Sequence, residues 1–222
     1  MTHNRALERI KPKGLPVILA AAGRSRRYGR PKLLESVPGT DKLLIQHVME
    51  QLTEGGAWPV IVVLGPTSVE PYDLIGNHVK THGGVALHID PHPEEMRDSI
   101  VAGINYLEGW IKASMQPDPS HILFTPSDLP NMNLAYVRAL IQCCQVRPES
   151  LIRGVTPEGR GMHPVGLAWN DRHEIDRIPG HLGLNELWNK PELNRYEWTW
   201  HDSYGHLDLD NPQDWKNFRQ TP

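Results

Sequence analysis

The sequence predicts an α/β protein, a mostly parallel sheet with helices on both of its faces. Two observations predict it. Short blocks rich in Val, Ile and Leu recur at intervals of a few dozen residues, and stretches with helical spacing lie between them. Uniformly apolar blocks suit strands buried on both sides, and their alternation with helices marks crossover units.

Taken in order, residues 1–14 mix Arg5, Arg9, Lys11 and Lys13 with Pro12 and Gly14, which reads as a flexible basic lead-in. The first strand is expected over Val17 to Ala22. Leu44, Ile45, Val48, Met49 and Leu52 then fall on one side of a helix. Further strands are expected at Val60 to Leu64, Val85 to Ile89 and Ile122 to Thr125. Met96, Ile100, Ile104, Leu107 and Ile111 recur in steps of four, four, three and four, a crossover helix between the last two. Another helical pattern follows through Leu134, Val137, Leu140, Ile141 and Cys144. From Arg153 to Gly205 the text becomes rich in Gly, His, Pro and Trp. Within it, Tyr196, Trp198 and Trp200 alternate as on one face of a core strand. Asn211 and Pro212 suit the start of a closing helix that packs back through Trp215 and Phe218.

The chain has 222 residues, with 23 Lys plus Arg against 26 Asp plus Glu, a formal net charge of −3. That excludes a polycation that coats nucleic acid. The composition is globular, and the reading is one domain over 15–222, with 153–205 as its acceptor-side region. Val17 to Ala22 is far too short to span a membrane and no signal peptide precedes it, so a cytoplasmic enzyme is expected. Cys143 and Cys144 are adjacent, a poor arrangement for a disulfide or a zinc site. No H-E-x-x-H or G-x-S-x-G occurs, which leaves zinc-protease and serine-hydrolase readings unsupported.

Residues 20–32, AAAGRSRRYGRPK, carry the most information. Small residues allow close backbone approach, and Arg24, Arg26, Arg27, Arg30 and Lys32 place five cations in nine positions. Amides and cations converging at the carboxyl end of a parallel strand suit a polyanion, most naturally a nucleoside triphosphate. A Walker loop is excluded, because Arg30 and Pro31 separate Gly29 from Lys32, and the Rossmann G-x-G-x-x-G is absent. What stands here is G-x-S-x-R-x-G-x-x-K, through Gly23, Ser25, Arg27, Gly29 and Lys32.

This stretch resembles the signature of the MobA-like NTP transferases, more closely the L-A-A-G-x-S-x-R-x-G-x-x-K of the molybdenum cofactor cytidylyltransferase branch. PHPEEMRDSIVAG (91–103), GRGMHPV (159–165) and LDLDNPQDW (207–215) resemble further segments of that branch. The resemblance implies a three-layer sandwich with a Rossmann-like sheet of the nucleotide-diphospho-sugar transferase type. It also implies transfer of a nucleotide from an NTP to a phosphorylated acceptor, with loss of pyrophosphate.

Asp128, in TPSDLPNM, is expected at a strand exit. A lone Asp in a turn is usually a cap. Facing a triphosphate loop, it suits Mg²⁺, which takes one or two carboxylates plus phosphate oxygens. A second ligand is expected from Asp208 or Asp210, which share a face, and the resemblance selects Asp210. By the same resemblance Ala21, Ala22, Gly23, Arg24, Ser25, Gly29, Lys32 and Ser99 bind the nucleotide. Lys32 and Arg27 stabilise charge beside Asp128, while Met96, Gly103 and His163 line the acceptor pocket.

GTP-using relatives carry L-A-G-G where Ala21, Ala22 and Gly23 stand here, so the resemblance leans to CTP. It implies molybdopterin as acceptor and a molybdoenzyme as client. PGHLGLNELW (179–188), however, stands where that branch has a G-D-x-G-A-R-like motif, with His181 and Asn185 at the Asp and Arg positions. Loss of an anion-binding Arg leaves other acceptors open, such as a sugar phosphate, polyol phosphate or phospholactate. A non-catalytic carrier of a nucleotide-modified cofactor is the alternative of a different class.

Overall fold

A computed structural model describes residues 14–25, 28–179 and 182–201. Strands and helices alternate as β1 (Leu15–Ala20), α1 (Leu44–Gly55), β2 (Ala57–Leu64), α2 (Tyr72–Thr81), β3 (Val85–His88), α3 (Met96–Ser114), β4 (His121–Pro126) and α4 (Leu134–Val146). Three further strands follow: β5 (Leu151–Val155), β6 (Val165–Ala168) and β7 (Arg195–Thr199). All seven lie in one sheet of order β3-β2-β1-β4-β6-β5-β7. The pairs β3/β2, β2/β1, β1/β4 and β5/β7 are parallel, and β6 runs antiparallel to both β4 and β5. The mostly parallel sheet agrees with the fold class read from the sequence.

The period of two along the strands divides the core into two halves. Val17, Leu19, Val60, Val62 and Leu123 face α1, α2 and α4, whose Leu44, Val48, Leu52, Ile75, Val79, Val137 and Leu140 are buried against them. Ile18, Ile61, Val63, Ile122 and Phe124 face the other way, onto Ile100, Ile104 and Leu107 of α3 and onto Trp169, Ile175, Ile178 and Leu187. Fully burying one such side chain contributes about 1.5–3 kcal/mol, so the sheet with both faces covered is the main apolar reservoir of the fold.

Gly103 is part of this packing. A Cβ there would lie 2.7 Å from the side chain of Ile18, so glycine lets α3 settle directly on β1.

In the second half of the chain, Tyr136 is the organising side chain. Its hydroxyl donates to the Pro164 carbonyl at 3.1 Å and accepts from the Gly154 amide at 2.9 Å, tying α4 to β5 and to the start of β6. Trp198 stacks on the same ring at 5.6 Å and Trp200 meets it edge-on, so the aromatic alternation on β7 is a packing face, as its spacing predicts. Cys143 and Cys144 are free thiols, the second fully buried.

The basic lead-in up to Lys13, residues Arg26, Arg27 and His181, and the closing segment with Asp208, Asp210 and the helix expected from Asn211 lie outside the described residues. No described helix is long and apolar enough to cross a membrane.

Candidate nucleotide site

Strand β1 sits between β2 and β4, so the chain leaves the sheet in opposite directions on its two sides. A crevice opens at such a switch point, at the carboxyl ends of the strands. Here it is a cleft of about 710 Å³. The loop after β1 supplies Ala21, Ala22, Gly23, Arg24, Ser25 and Tyr28, and Lys32 and Leu33 follow; the segment before α3 supplies His92 to Met96 and then Ser99; the exit of β4 supplies Pro126, Ser127 and Asp128.

The loop is shaped by its own backbone. The Ala21 amide still donates to Val63 of β2 at 2.9 Å, continuing the ladder one residue past β1. Ser25 then turns with φ of 47°, and its carbonyl accepts from the amides of Tyr28 and Gly29 at 3.0 Å each. Gly29 has φ of 77°, a left-handed conformation that glycine adopts at little cost. After Pro31, a single 3₁₀ turn over Lys32–Leu34 aims Lys32 back across the cleft.

Lys32 Nζ is ion-paired with Asp128 Oδ2, joining the exits of β1 and β4. The two side chains are 14% and 20% exposed, so the pair is largely shielded from water yet borders the cleft. Arg30 is committed elsewhere, to Glu35 at 2.9 Å on the exposed rim. Arg24 is the exposed cation of the loop that borders the cleft among the described residues.

The opposite wall is the amino end of α3. The Asp98 carboxylate accepts from the amides of Glu94 and Glu95 at 3.1 and 3.0 Å, which fixes the first turn. Ser99, one turn in, is buried at the floor of the cleft, and Met96 lines its wall.

Most of the residues expected for the nucleotide therefore border one cavity. Gly29 shapes the loop and is not among the lining residues. Of the acceptor candidates only Met96 lines the cleft. Gly103 lies against Ile18, and His163 sits at the turn into β6, in a cis peptide with Pro164. Asn185 is exposed on a 3₁₀ turn, Leu184–Asn189.

Two aromatic contributions were not legible in the local sequence. Tyr72, on α2, donates its hydroxyl to the Ala22 carbonyl at 2.6 Å and meets His92 Nε2 at 2.8 Å. Burial raises the pKa of the Tyr72 phenol, so it keeps its proton. Tyr28, within the loop, has a buried hydroxyl with no hydrogen bond of good geometry among the described residues, and the Arg30 guanidinium lies 5.6 Å over its ring. Tyr72 is 50 residues from its acceptor, and no periodicity announces the pairing.

Among the described residues no three His, Cys, Asp or Glu side chains gather to hold a metal ion by themselves. Glu94, Glu95 and Asp128 are the described carboxylates that line the cleft, and Asp128 alone of them stands at a strand exit beside the loop; such a residue fits Mg²⁺, which commonly uses one or two protein carboxylates and completes its shell with phosphate oxygens and water.

Fold and site together define a nucleotidyltransferase. The chain belongs to the MobA-like NTP transferase domain family, whose model matches residues 17–195. Among curated protein sequences none is significantly similar to it. Solved structures agree on the fold. Rv0371c from Mycobacterium tuberculosis H37Rv is similar with TM-score 0.71 and 21% identity, over 94% of this chain and 100% of that one. It has also been solved in complex with manganese. A nucleotidyl transferase from Methanothermobacter gives TM-score 0.72 and 15% identity, over 93% and 96%. CMP:2-keto-3-deoxy-manno-octonic acid synthetase complexed with CTP gives 0.67 and 14%, over 93% and 97%. The sheet is thus that of the nucleotide-diphospho-sugar transferase fold.

Proposed function

We propose that the protein transfers a nucleoside monophosphate, CMP in preference, from an NTP to a small phosphorylated acceptor of the molybdopterin kind, with Mg²⁺ and release of pyrophosphate. One observation supports this above the others: Lys32 and Asp128, from two strand exits, meet inside the cleft that the glycine-arginine loop lines.

In the reaction an acceptor oxygen attacks the α-phosphorus in line as the bond to pyrophosphate breaks. Such transfers rest on positioning and charge stabilisation rather than on covalent participation by the protein. The amides and hydroxyl of Gly23, Arg24 and Ser25 cradle the phosphates. Lys32 leaves Asp128 for the phosphate oxygens and stabilises charge that builds on the departing pyrophosphate. Asp128, with Asp210 as second ligand, would hold Mg²⁺, which would supply charge neutralisation at the phosphates. Arg27 adds a cation to the same group. Ser99 borders the nucleotide and Met96 the acceptor, and the Ala22 methyl leaves room for a pyrimidine more readily than for a purine.

The CTP complex of a structural neighbour and the manganese complex of another support the nucleotide and metal parts of this reading. The acceptor rests on the resemblance of 91–103 and 159–165 alone. Pyrophosphate release measured with CTP, GTP, ATP and UTP, each with Mg²⁺ and an acceptor panel, tests the whole. CTP-dependent multiple turnover with a molybdopterin acceptor is expected, and a GTP preference would overturn the base assignment. CTP-induced thermal stabilisation without turnover on any acceptor would favour the non-catalytic carrier.

A further inference from the structure

Around the Ala22 carbonyl the polar contacts outnumber the protons of an uncharged set. Tyr72 Oη lies 2.6 Å from the Ala22 carbonyl oxygen and 2.8 Å from His92 Nε2, and His92 Nδ1 lies 2.7 Å from the Pro93 carbonyl oxygen. A carbonyl oxygen only accepts, so Nδ1 carries a proton and the single Tyr72 hydroxyl proton goes to Ala22. The contact between Tyr72 Oη and His92 Nε2 then holds a proton only if Nε2 carries one as well. A neutral His92 would leave one of the two short contacts with lone pairs facing each other.

We infer that Tyr72 and His92 form a charged clamp on the triphosphate loop, in which His92 is an imidazolium that donates from both ring nitrogens and strengthens nucleotide binding. The nucleotide part rests on the function proposed above.

The packing is consistent with a fixed pair. The rings lie 5.6 Å apart, and a Cβ at Gly65 would come within 2.4 Å of the Tyr72 ring and 2.8 Å of the His92 ring, so only glycine lets both stand against the exit of β2. Among the described residues the charged and titratable groups around His92 are few. Tyr72 faces it from α2, and Arg24 acts on the Tyr72 phenol from the loop. Glu94 and Glu95 follow it along its own segment, and Lys32 and Asp128, paired with each other, border the same cleft. Behind it His88 Nδ1 bonds the Gly65 carbonyl at 3.0 Å. A positive imidazolium at this rim adds attraction for a polyanion, and it holds the Ala22 carbonyl, and with it the loop, through Tyr72. His92 is thus a positioning residue.

Imidazole nitrogen spectra of the full chain, assigned by loss of signals in His92→Gln, report the charge directly. Both His92 nitrogens are expected to be protonated near pH 7 in the free protein. CTP affinity is then expected to fall about tenfold as the imidazolium loses its proton, relative to His92→Gln, which carries the same nucleotide titration without the imidazole. Tyr72→Phe keeps the buried ring and removes only the hydroxyl. It should weaken CTP severalfold at every pH and reduce the pH dependence. One unprotonated His92 nitrogen near pH 7, or the same pH profile in wild type and His92→Gln, would overturn the clamp. Absence of CTP binding by the wild type at every pH would refute the proposed function instead, while the spectra of the free protein would still decide the charge of His92.

Discussion

Lys32 and Asp128 are 96 residues apart in the chain and paired in space, the lysine from the loop that leaves β1 and the aspartate from the exit of β4. Each supplies the other's counter-charge, so the closed pair needs neither solvent nor ligand to be electrically satisfied. In the proposed reaction a metal-nucleotide complex would offer both groups new partners at once, phosphate for the ammonium and Mg²⁺ for the carboxylate. The pair is thereby suited to exchange partners together.

Lys32→Ala is expected to slow turnover about a hundredfold, the usual loss for one preorganised charge contact to the leaving group. Steady-state pyrophosphate release with CTP and Mg²⁺ measures it. Unchanged turnover would remove Lys32 from the mechanism.

Asp128→Asn keeps the shape of the side chain and deletes its charge. Mg²⁺-dependent turnover should fall by more than about a hundredfold. CTP binding without metal should hold or tighten, because Lys32 is released toward the phosphates. Titration calorimetry in the presence of a chelator separates the two effects, and loss of metal-free binding would argue that Asp128 mainly orders the loop.

Stability should depend on pH through His121, which is fully buried at the start of β4 with Nε2 donating to the Ser150 carbonyl at 3.0 Å. Burial lowers its pKa below the ordinary 6.5. The unfolded chain therefore binds a proton that the folded one resists, and the stabilising contribution is complete above about pH 6.5 and lost as pH falls through the depressed folded value. Urea unfolding across that range should show the decline, with a shallower slope in His121→Gln.

Tyr28→Phe should raise the unfolding free energy by about 1 kcal/mol, since it removes a buried hydroxyl that has no hydrogen bond of good geometry among the described residues. Chemical denaturation checks this. A loss of stability would mean that the hydroxyl is hydrogen-bonded in solution.

The first half of the fold was legible because its strands are long apolar runs separated by amphipathic helices. β1 to β4, α1, α3 and α4 stand where periodicity placed them, with β1 ending at Ala20 so that Ala21 and Ala22 open the loop. β5 and β6 carry no such signal. LIRGV carries an arginine and a glycine, VGLA is four residues long, and both are held by Tyr136 from a helix rather than by any pattern of their own. Helix α2 is equally faint in the sequence, since Gly76 takes a place in its buried stripe of Tyr72, Ile75 and Val79. The glycine-arginine loop and Asp128 could be read because charge density and strand exits are local properties. The Tyr72 contact with Ala22 could not, because it joins segments 50 residues apart through one hydroxyl.

Because β6 alone is reversed, β5 and β7 point the same way as β1 to β4. Six strands consequently discharge their outgoing chain on a single rim, and the turn after Val155 and the backbone beyond Thr199 emerge on the side where Lys32 and Asp128 meet. Substitutions or insertions in those two outlets could re-line that rim for a new acceptor while the strands that carry the nucleotide machinery keep their register.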